Sequence, residues 1–508
     1  MNKVLLFNPF AAKNGYRIPN SILQVAASIN GKYDFVFVDG NLEKDPWTKI
    51  KGHLDTGQFR FFGCTVMPGP QLRQAIPYSK KIREEYPDIV NIWGGYFASN
   101  QYKTSINSGF VDFIIDGQGD YAFPQLLDRI IQNENNFDQI NNLIYKKGDE
   151  IIKTRKEFIG DQNGLPKLPY DKLNKCYPIR RYLKKTFLGK RTAAYHASFG
   201  CPFTCSFCAV VPIYNARWKS KSAQNIFKDI KYLIEEHGAD AVEFHDNNFF
   251  VNEKMVVEFS RLIKEYNIKW WGEGRIDTLT KYSDESLKAM RDAGCKMIFF
   301  GAESSSDEVL SKMDKGGTQT AQQIKDFAAR MQKFSIIPEY SFVLGMPLEN
   351  EQEVNNQIDQ DITFIKEIKR INPDTEIIIY LYSPVPTEGS ELYETVKKAG
   401  FSFPEKLEDW LSPEWENFDL RRNPLTPWLK PYMVDKIQGF EAVLNAHYPT
   451  ASDYKLTTFQ KKLMKKISAW RYHANIYKWP YELKALQKFW LRYRRPEIEG
   501  FTMEESHV

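Results

Sequence analysis

Three of the six cysteines in this 508-residue chain fall within eight residues: Cys201-Pro202-Phe203-Thr204-Cys205-Ser206-Phe207-Cys208. Thiols this dense, spaced by three and then two residues, suit an iron–sulfur cluster. Three ligands leave one iron of a [4Fe–4S] cube open to another group. The run follows an apolar stretch, 192–199, that reads as a strand, so the cysteines sit on a loop at its C-terminal end. Phe207 would shield one face of a cluster from water. A zinc site is the competing reading; it needs four ligands, and the nearby His196 can serve as the fourth. Buried thiols without a metal are a third.

The other cysteines, Cys64, Cys176 and Cys295, are scattered, unlike a secreted disulfide framework, and a reducing cytoplasm is expected. Cys176 reads as structural. The N-terminus enters a strand pattern directly, without a signal-peptide core. No apolar run reaches the roughly 18 residues of a membrane span. At about 150 residues per domain, three units are expected.

Residues 1–135 alternate short apolar runs (Val4–Phe7, Phe35–Val38, Phe59–Gly63, Val90–Trp93, Phe113–Ile115) with amphipathic stretches such as Gln71–Tyr86. That alternation predicts a doubly wound, flavodoxin/Rossmann-like parallel sheet. Ligands of such sheets lie beyond the carboxyl ends of the strands. Those ends are rich in glycine and polar residues: Asp39-Gly40-Asn41, Gly63-Cys64-Thr65, Gly94-Gly95 and Asp116-Gly117-Gln118-Gly119-Asp120. Glycines let backbone approach a large flat ligand, although short loops use glycine anyway.

Residues 136–190 read as a linker, with a hairpin over Leu143–Lys153 and a proline-punctuated connector at 165–170. Six further strand–helix repeats fill 191–400, with strands at 192–198, 241–246, 268–275, 297–301, 338–344 and 376–382. That is the count of a partial (β/α)6, TIM-like barrel, whose chemistry collects at C-terminal strand ends. Those ends carry Asp246-Asn247-Asn248, Gly272-Glu273-Gly274-Arg275, Gly301-Ala302-Glu303-Ser304 (with Lys315 beyond), Gly345-Met346-Pro347 and the turn 383–393. Arg275 suits a carboxylate through a bidentate pair. The expected fold class is therefore α/β, with a mainly helical region at 401–508.

Behind CxxxCxxC, these features resemble, in order, the radical S-adenosylmethionine (SAM) enzymes that carry a cobalamin-binding domain. Val38-Asp39-Gly40-Asn41, Gly94-Gly95-Tyr96-Phe97-Ala98 and Gly117-Gln118-Gly119-Asp120 stand where the family has VDxN-, GGxxA- and GEGE-like stretches, the last departing at two positions. The resemblance covers about residues 1–400. It implies a [4Fe–4S] cluster on Cys201, Cys205 and Cys208. It implies SAM against Asp246, Arg275, Glu303, Ser304 and Gly345. It implies cobalamin against Asp39, Asn41, Thr65, Met67, Gly94, Gly95, Gly117 and Gly119. The Asp-x-His-x-x-Gly signature is absent, so no histidine is expected beneath cobalt. Reductive SAM cleavage to a 5′-deoxyadenosyl radical, followed by methyl transfer to an unactivated carbon, is the implied activity. Cyclisation or rearrangement is the alternative, and a non-catalytic cobalamin or redox sensor is another. A small-molecule or lipid substrate and an electron donor such as flavodoxin or ferredoxin are implied partners.

The net charge of +5 conceals an asymmetry. Residues 455–495 hold twelve Lys or Arg against one acid, Glu482, a net +11, so the rest of the chain carries −6. Nine aromatics interleave with those cations: Phe459, Trp470, Tyr472, Tyr477, Trp479, Tyr481, Phe489, Trp490 and Tyr493. A helical subdomain with a solvated basic face explains them. Peripheral contact with an anionic membrane does too. Nucleic acid is disfavoured because no RNA-binding signature accompanies them.

Overall fold

The computed structural model describes residues 2–11, 16–158, 160–313, 319–382, 391–416, 421 and 424–486. Lys315, the turn 383–390 and the tail residues Phe489, Trp490 and Tyr493 lie outside them.

The N-terminal sheet contains β1 (Lys3–Asn8), β2 (Phe35–Asp39), β3 (Phe59–Thr65), β4 (Val90–Gly94), β5 (Phe113–Ile115), β6 (Leu143–Lys147) and β7 (Glu150–Lys153). Its order is β2-β1-β3-β4-β5-β6-β7, with β1 to β5 parallel. The connection reverses direction at β1, which makes the β1/β3 boundary the switch point of a flavodoxin-like sheet. The parallel strands are apolar because helices cover both faces: Leu6 and Phe61 look to one side, Leu5 and Phe62 to the other.

One boundary differs from expectation. The hairpin placed in the linker is the edge of this sheet: β6 pairs antiparallel with β5 and β7 with β6. Ile144 and Tyr145 are buried in its two cores, which is why the hairpin joins the domain. The next helix, Tyr170–Cys176, ends with the Cys176 thiol exposed rather than packed.

The second sheet contains β8 (Thr192–Tyr195), β11 (Ala241–Phe244), β12 (Lys269–Gly274), β13 (Cys295–Glu303), β14 (Ile337–Leu344) and β15 (Glu376–Leu381), parallel and in sequential order. That is the expected open barrel. Its first strand stops early; β9 (Ser198–Gly200) pairs instead with β10 (Trp218–Ser220) as a separate ribbon bracketing the cysteine loop.

The C-terminal region divides. Leu407 and Trp410 return to the first domain, where Trp410 meets Phe97 edge-on at 4.9 Å. Helices Pro431–His447 and Thr458–Ala474 pack on the barrel through Met433, Phe440, Met464 and Tyr472. Of the tail aromatics, Tyr472 and Tyr477 are buried, whereas Phe459, Trp470, Trp479 and Tyr481 are exposed. Among the described residues no helix is long and apolar enough to cross a membrane.

Candidate active site

The site begins where β8 breaks. Asp246, just past β11, is fully buried; its Oδ1 accepts Ala197 N–H (3.0 Å), Ser198 Oγ–H (2.5 Å) and Ser198 N–H. These bonds turn the chain out of β8 and launch β9 toward the cysteines. Burial pushes this carboxyl up to about 7, against the pull of Ser198 and the backbone amides. Asp246 was expected at the SAM amino group; its Oδ1 is instead committed to the turn that delivers the cysteine loop.

Cys201, Cys205 and Cys208 are half-buried free thiols. Burial pushes Cys201 up, opposed by the Phe203 amide and by Arg275. Arg275 Nη1 donates to Cys205 Sγ at 3.0 Å, and the guanidinium lies 3.9 Å from the Phe203 ring centroid. Two parallel bonds to Asp277, 2.9 and 2.8 Å, hold that guanidinium in place. Ser206 ties the loop to the chain after β13 through the Lys312 and Met313 carbonyls.

These residues fit a cluster. The soft thiol set lies on one loop, with the Arg275 guanidinium fixed beside it. A closed zinc site would need a fourth donor beside the three thiols. The candidate fourth ligand, His196, is neutral, pushed down to about 3 by burial with His245 and Lys221 adding to it, which is the form a metal would bind.

Glu303 and Ser304 lie at the end of β13 after a register shift between Gly301 and Glu303. Glu303 is buried at φ +67°, a left-handed conformation that costs a non-glycine residue and concentrates at functional sites. Ser304 Oγ donates to Asp361 Oδ1 at 3.0 Å, and Ser305 N–H reaches the same oxygen at 2.7 Å. Gly345 takes φ +83°, which strains any residue with a side chain, and a Cβ there would also crowd the Leu429 side chain at 2.4 Å.

In the lumen, Glu243 accepts from Arg17 Nε at 2.9 Å and contacts His245 at 3.2 Å, while Trp271 Nε1 donates to Glu339 at 2.9 Å. Glu273, two residues past Trp271 on the same strand face, is pushed up to about 8 by burial and then by Asp246 and Glu339. In the unfolded chain it ionises near 4.5, so folding takes up a proton between 4.5 and about 8, and stability falls as pH rises through that window. In metal-free protein, Glu273→Gln is expected to remove this slope. The Tm gained over wild type should grow from pH 4.5 to 8 and then level off; parallel Tm curves would contradict it.

The sheet edge of the first domain faces this site. Tyr96 Oη donates to Asn247 Oδ1 at 2.7 Å, Asn100 Nδ2 to the Ala209 carbonyl at 3.3 Å, and Lys156 Nζ to the Pro212 carbonyl at 2.8 Å. Thr65, Met67, Gly94, Gly95 and Gly117 are half-exposed along that edge. At Gly94 a Cβ would meet nothing nearer than 3.9 Å, whereas at Gly95 (φ +96°) it would stand 2.8 Å from the Val66 carbonyl. A bare backbone shelf of this kind fits a flat macrocycle such as cobalamin. Asp39 is fully buried and accepts from Tyr182 (2.7 Å), Asn41 and Asn8, and Gly119 is buried against Val25 and Ile115. Asp39 and Gly119, both expected against the ligand, also brace the loops through these contacts. Asn41 Oδ1 likewise accepts the Ala11 amide, bracing the β1 loop. Gly95→Ala is expected to displace the β3 and β4 loops and empty the shelf, giving protein that keeps its iron and loses its cobalt; loss of both together would place Gly95 in overall stability instead.

A model of the radical SAM superfamily matches residues 195–360, from the end of β8 into the helix after β14. Those residues form a radical SAM domain. Its similarity to an uncharacterized methyltransferase of Pyrococcus horikoshii is 25% identity over 344 residues, 67% of this chain and 72% of that protein. An anaerobic magnesium-protoporphyrin IX monomethyl ester cyclase of Rubrivivax gelatinosus is 22% identical over 82% of this chain and 70% of its own length. In fold, the chain resembles the cobalamin-dependent S-adenosylmethionine radical enzyme OxsB, solved with aqua-cobalamin and S-adenosylmethionine bound. The TM-score is 0.70 at 16% identity, over 97% of this chain and 75% of that one.

Motif reading missed Asp361, Arg17, Tyr96 and Glu273. Asp361 sits mid-helix 57 residues from Ser304 and has no local signature; Tyr96 was quoted only as a variable position. Glu273 was legible as the carboxylate of the strand end before Arg275.

Proposed function

We propose that this chain is a cobalamin-dependent radical SAM enzyme that transfers a methyl group to an unactivated carbon. The observation that carries the proposal is the docking of the residues just after the glycine shelf against the barrel: Tyr96 meets Asn247 past β11, and Asn100 meets Ala209 beside the cysteine loop. This docking supports a ligand on the shelf facing one held by the thiols. When bound, a [4Fe–4S] cluster supplies the electron that cleaves SAM to a 5′-deoxyadenosyl radical, and cobalamin supplies the methyl group.

The chain's own residues orient and shield. Cys201, Cys205 and Cys208 would hold the cluster, with Arg275 fixing charge beside Cys205. Glu303, Ser304, Arg275 and Gly345 would hold SAM, and Asp246 and Asp361 position those loops. Thr65, Met67, Gly94, Gly95 and Gly117 would line cobalamin. Trp271 and Phe299 wall the lumen and exclude water.

The likeness to a cyclase favours a second reading, ring formation or rearrangement by the same radical. A reducing cytoplasm, a flavodoxin- or ferredoxin-like donor, and a small-molecule or lipid substrate complete the proposal, and all six cysteines are free thiols in keeping with it. The exposed aromatics of the C-terminal region support peripheral membrane contact through residues 455–495.

Incubating reduced, anaerobic protein with SAM and candidate substrates tests the chemistry. Methylation gives both 5′-deoxyadenosine and S-adenosylhomocysteine, which is the expected result. The first product alone indicates other radical chemistry, and neither indicates a sensor.

A further inference from the structure

We infer that residues 458–481 form a preassembled platform for an anionic lipid surface, with Arg471 as the buried clamp that presents its aromatic side chains. The inference rests on the membrane reading of residues 455–495 and is independent of the cluster chemistry.

Helix Thr458–Ala474 buries Met464, Ser468 and Tyr472, and Tyr472 stacks on His447 at 4.3 Å. Its opposite face leaves Phe459 69% and Trp470 54% exposed. At 1.5 Å per residue these two stand about 16 Å apart on one side of the helix, flanked by Lys462 and Lys466. Side chains of this size are usually covered. Among the described residues seven large hydrophobics are exposed, and five of them (Phe459, Trp470, Ile476, Trp479, Tyr481) fall in this segment.

The turn beyond the helix is built, and its construction keeps those side chains outward. Arg471 is 8% exposed, lies 4.7 Å over the Trp470 ring, and donates to the carbonyls of Lys478 (2.9 Å), Trp479 (3.2 Å) and Ile476 (3.4 Å). It also pairs with Glu482 at 3.0 Å. Trp479 is held at φ +48°, costly for a bulky residue, while its side chain stays 68% exposed. The same turn seats Tyr477 and Leu483 in the core, yet the strained backbone at Trp479 leaves the indole outside, where it can meet a partner.

Charge selects that partner. From 455 to 486 there are seven lysines and one acid, Glu482, which Arg471 already pairs. Lysine beside tryptophan and tyrosine matches an anionic bilayer interface, at about fivefold in affinity per lysine. RNA is less well served, because a convex helix face carrying Phe459 and Leu463 provides no groove for a backbone to follow.

The test is co-sedimentation of the full chain with vesicles of phosphatidylcholine alone or mixed equally with phosphatidylglycerol, and with polyuridylic acid as the competing probe. Wild type should bind only the anionic vesicles and release them in high salt. Lys462→Gln with Lys466→Gln should weaken binding about 25-fold. Trp479→Ala and Arg471→Ala should each weaken it about tenfold, without adding together, and leave iron content unchanged. Trp479 is exposed, so its variant remains informative even if Arg471→Ala misfolds. Wild type that binds neither vesicle overturns the membrane reading itself. Anionic binding unaffected by Trp479→Ala overturns the platform alone. Tighter binding to polyuridylic acid would assign the surface to nucleic acid.

Discussion

Asp246→Ala is expected to lower stability by about 3 kcal/mol or more and to strip the protein of iron. Three donors, the Ala197 and Ser198 amides and the Ser198 hydroxyl, converge on its Oδ1 in a fully buried site. Each buried donor left without an acceptor costs about 1–3 kcal/mol. The carboxylate's own desolvation, visible in its rise to about 7, offsets part of the loss. The turn at 197–198 would relax, and the cysteine loop it launches would lose its direction. Asp246→Asn keeps one acceptor and should fall between the two. Thermal melts with iron analysis decide the matter. If Asp246→Ala keeps its iron and its Tm but loses SAM binding, the residue acts on SAM directly, as the family resemblance implied.

Cys205→Ala is expected to take iron from about four per chain to below one and to bring 5′-deoxyadenosine formation to background, with helix content unchanged. The loop is half-exposed and its thiol contributes little to the core, so the fold has no reason to fail. Removing the sulfur also removes the acceptor of Arg275 Nη1 at 3.0 Å. His196→Ala supplies the contrast. A cluster on three cysteines survives it, whereas a zinc site using His196 as fourth ligand would lose its metal in both variants.

Much of this architecture was legible because it follows from hydrophobic period. Apolar runs buried on both faces marked the parallel strands, and glycines at their ends marked the shelf. What sequence could not show was which polar groups the fold would spend on itself. Asp246 and Asp39 look like ligand contacts when their loops are read alone. Only the three-dimensional turn at Ala197 and the tyrosines Tyr177 and Tyr182, arriving from the linker, reveal them as braces as well. The hairpin was recognised, but its partner was not, because pairing with β5 depends on register across a gap of about 30 residues. The tail read as nine equivalent aromatics; burial separates Tyr472 and Tyr477, which pack, from Trp470 and Trp479, which do not.

The most direct test of the central claim is the iron and cobalt content, with a visible spectrum, of protein purified without oxygen from cobalamin-fed cells. About four irons and one cobalt per chain is the predicted result, and it would place both cofactors on the two facing surfaces. Iron without cobalt would contradict the account: the barrel would remain a radical SAM core, the glycine shelf would serve something else, and the methyl-transfer proposal would fall.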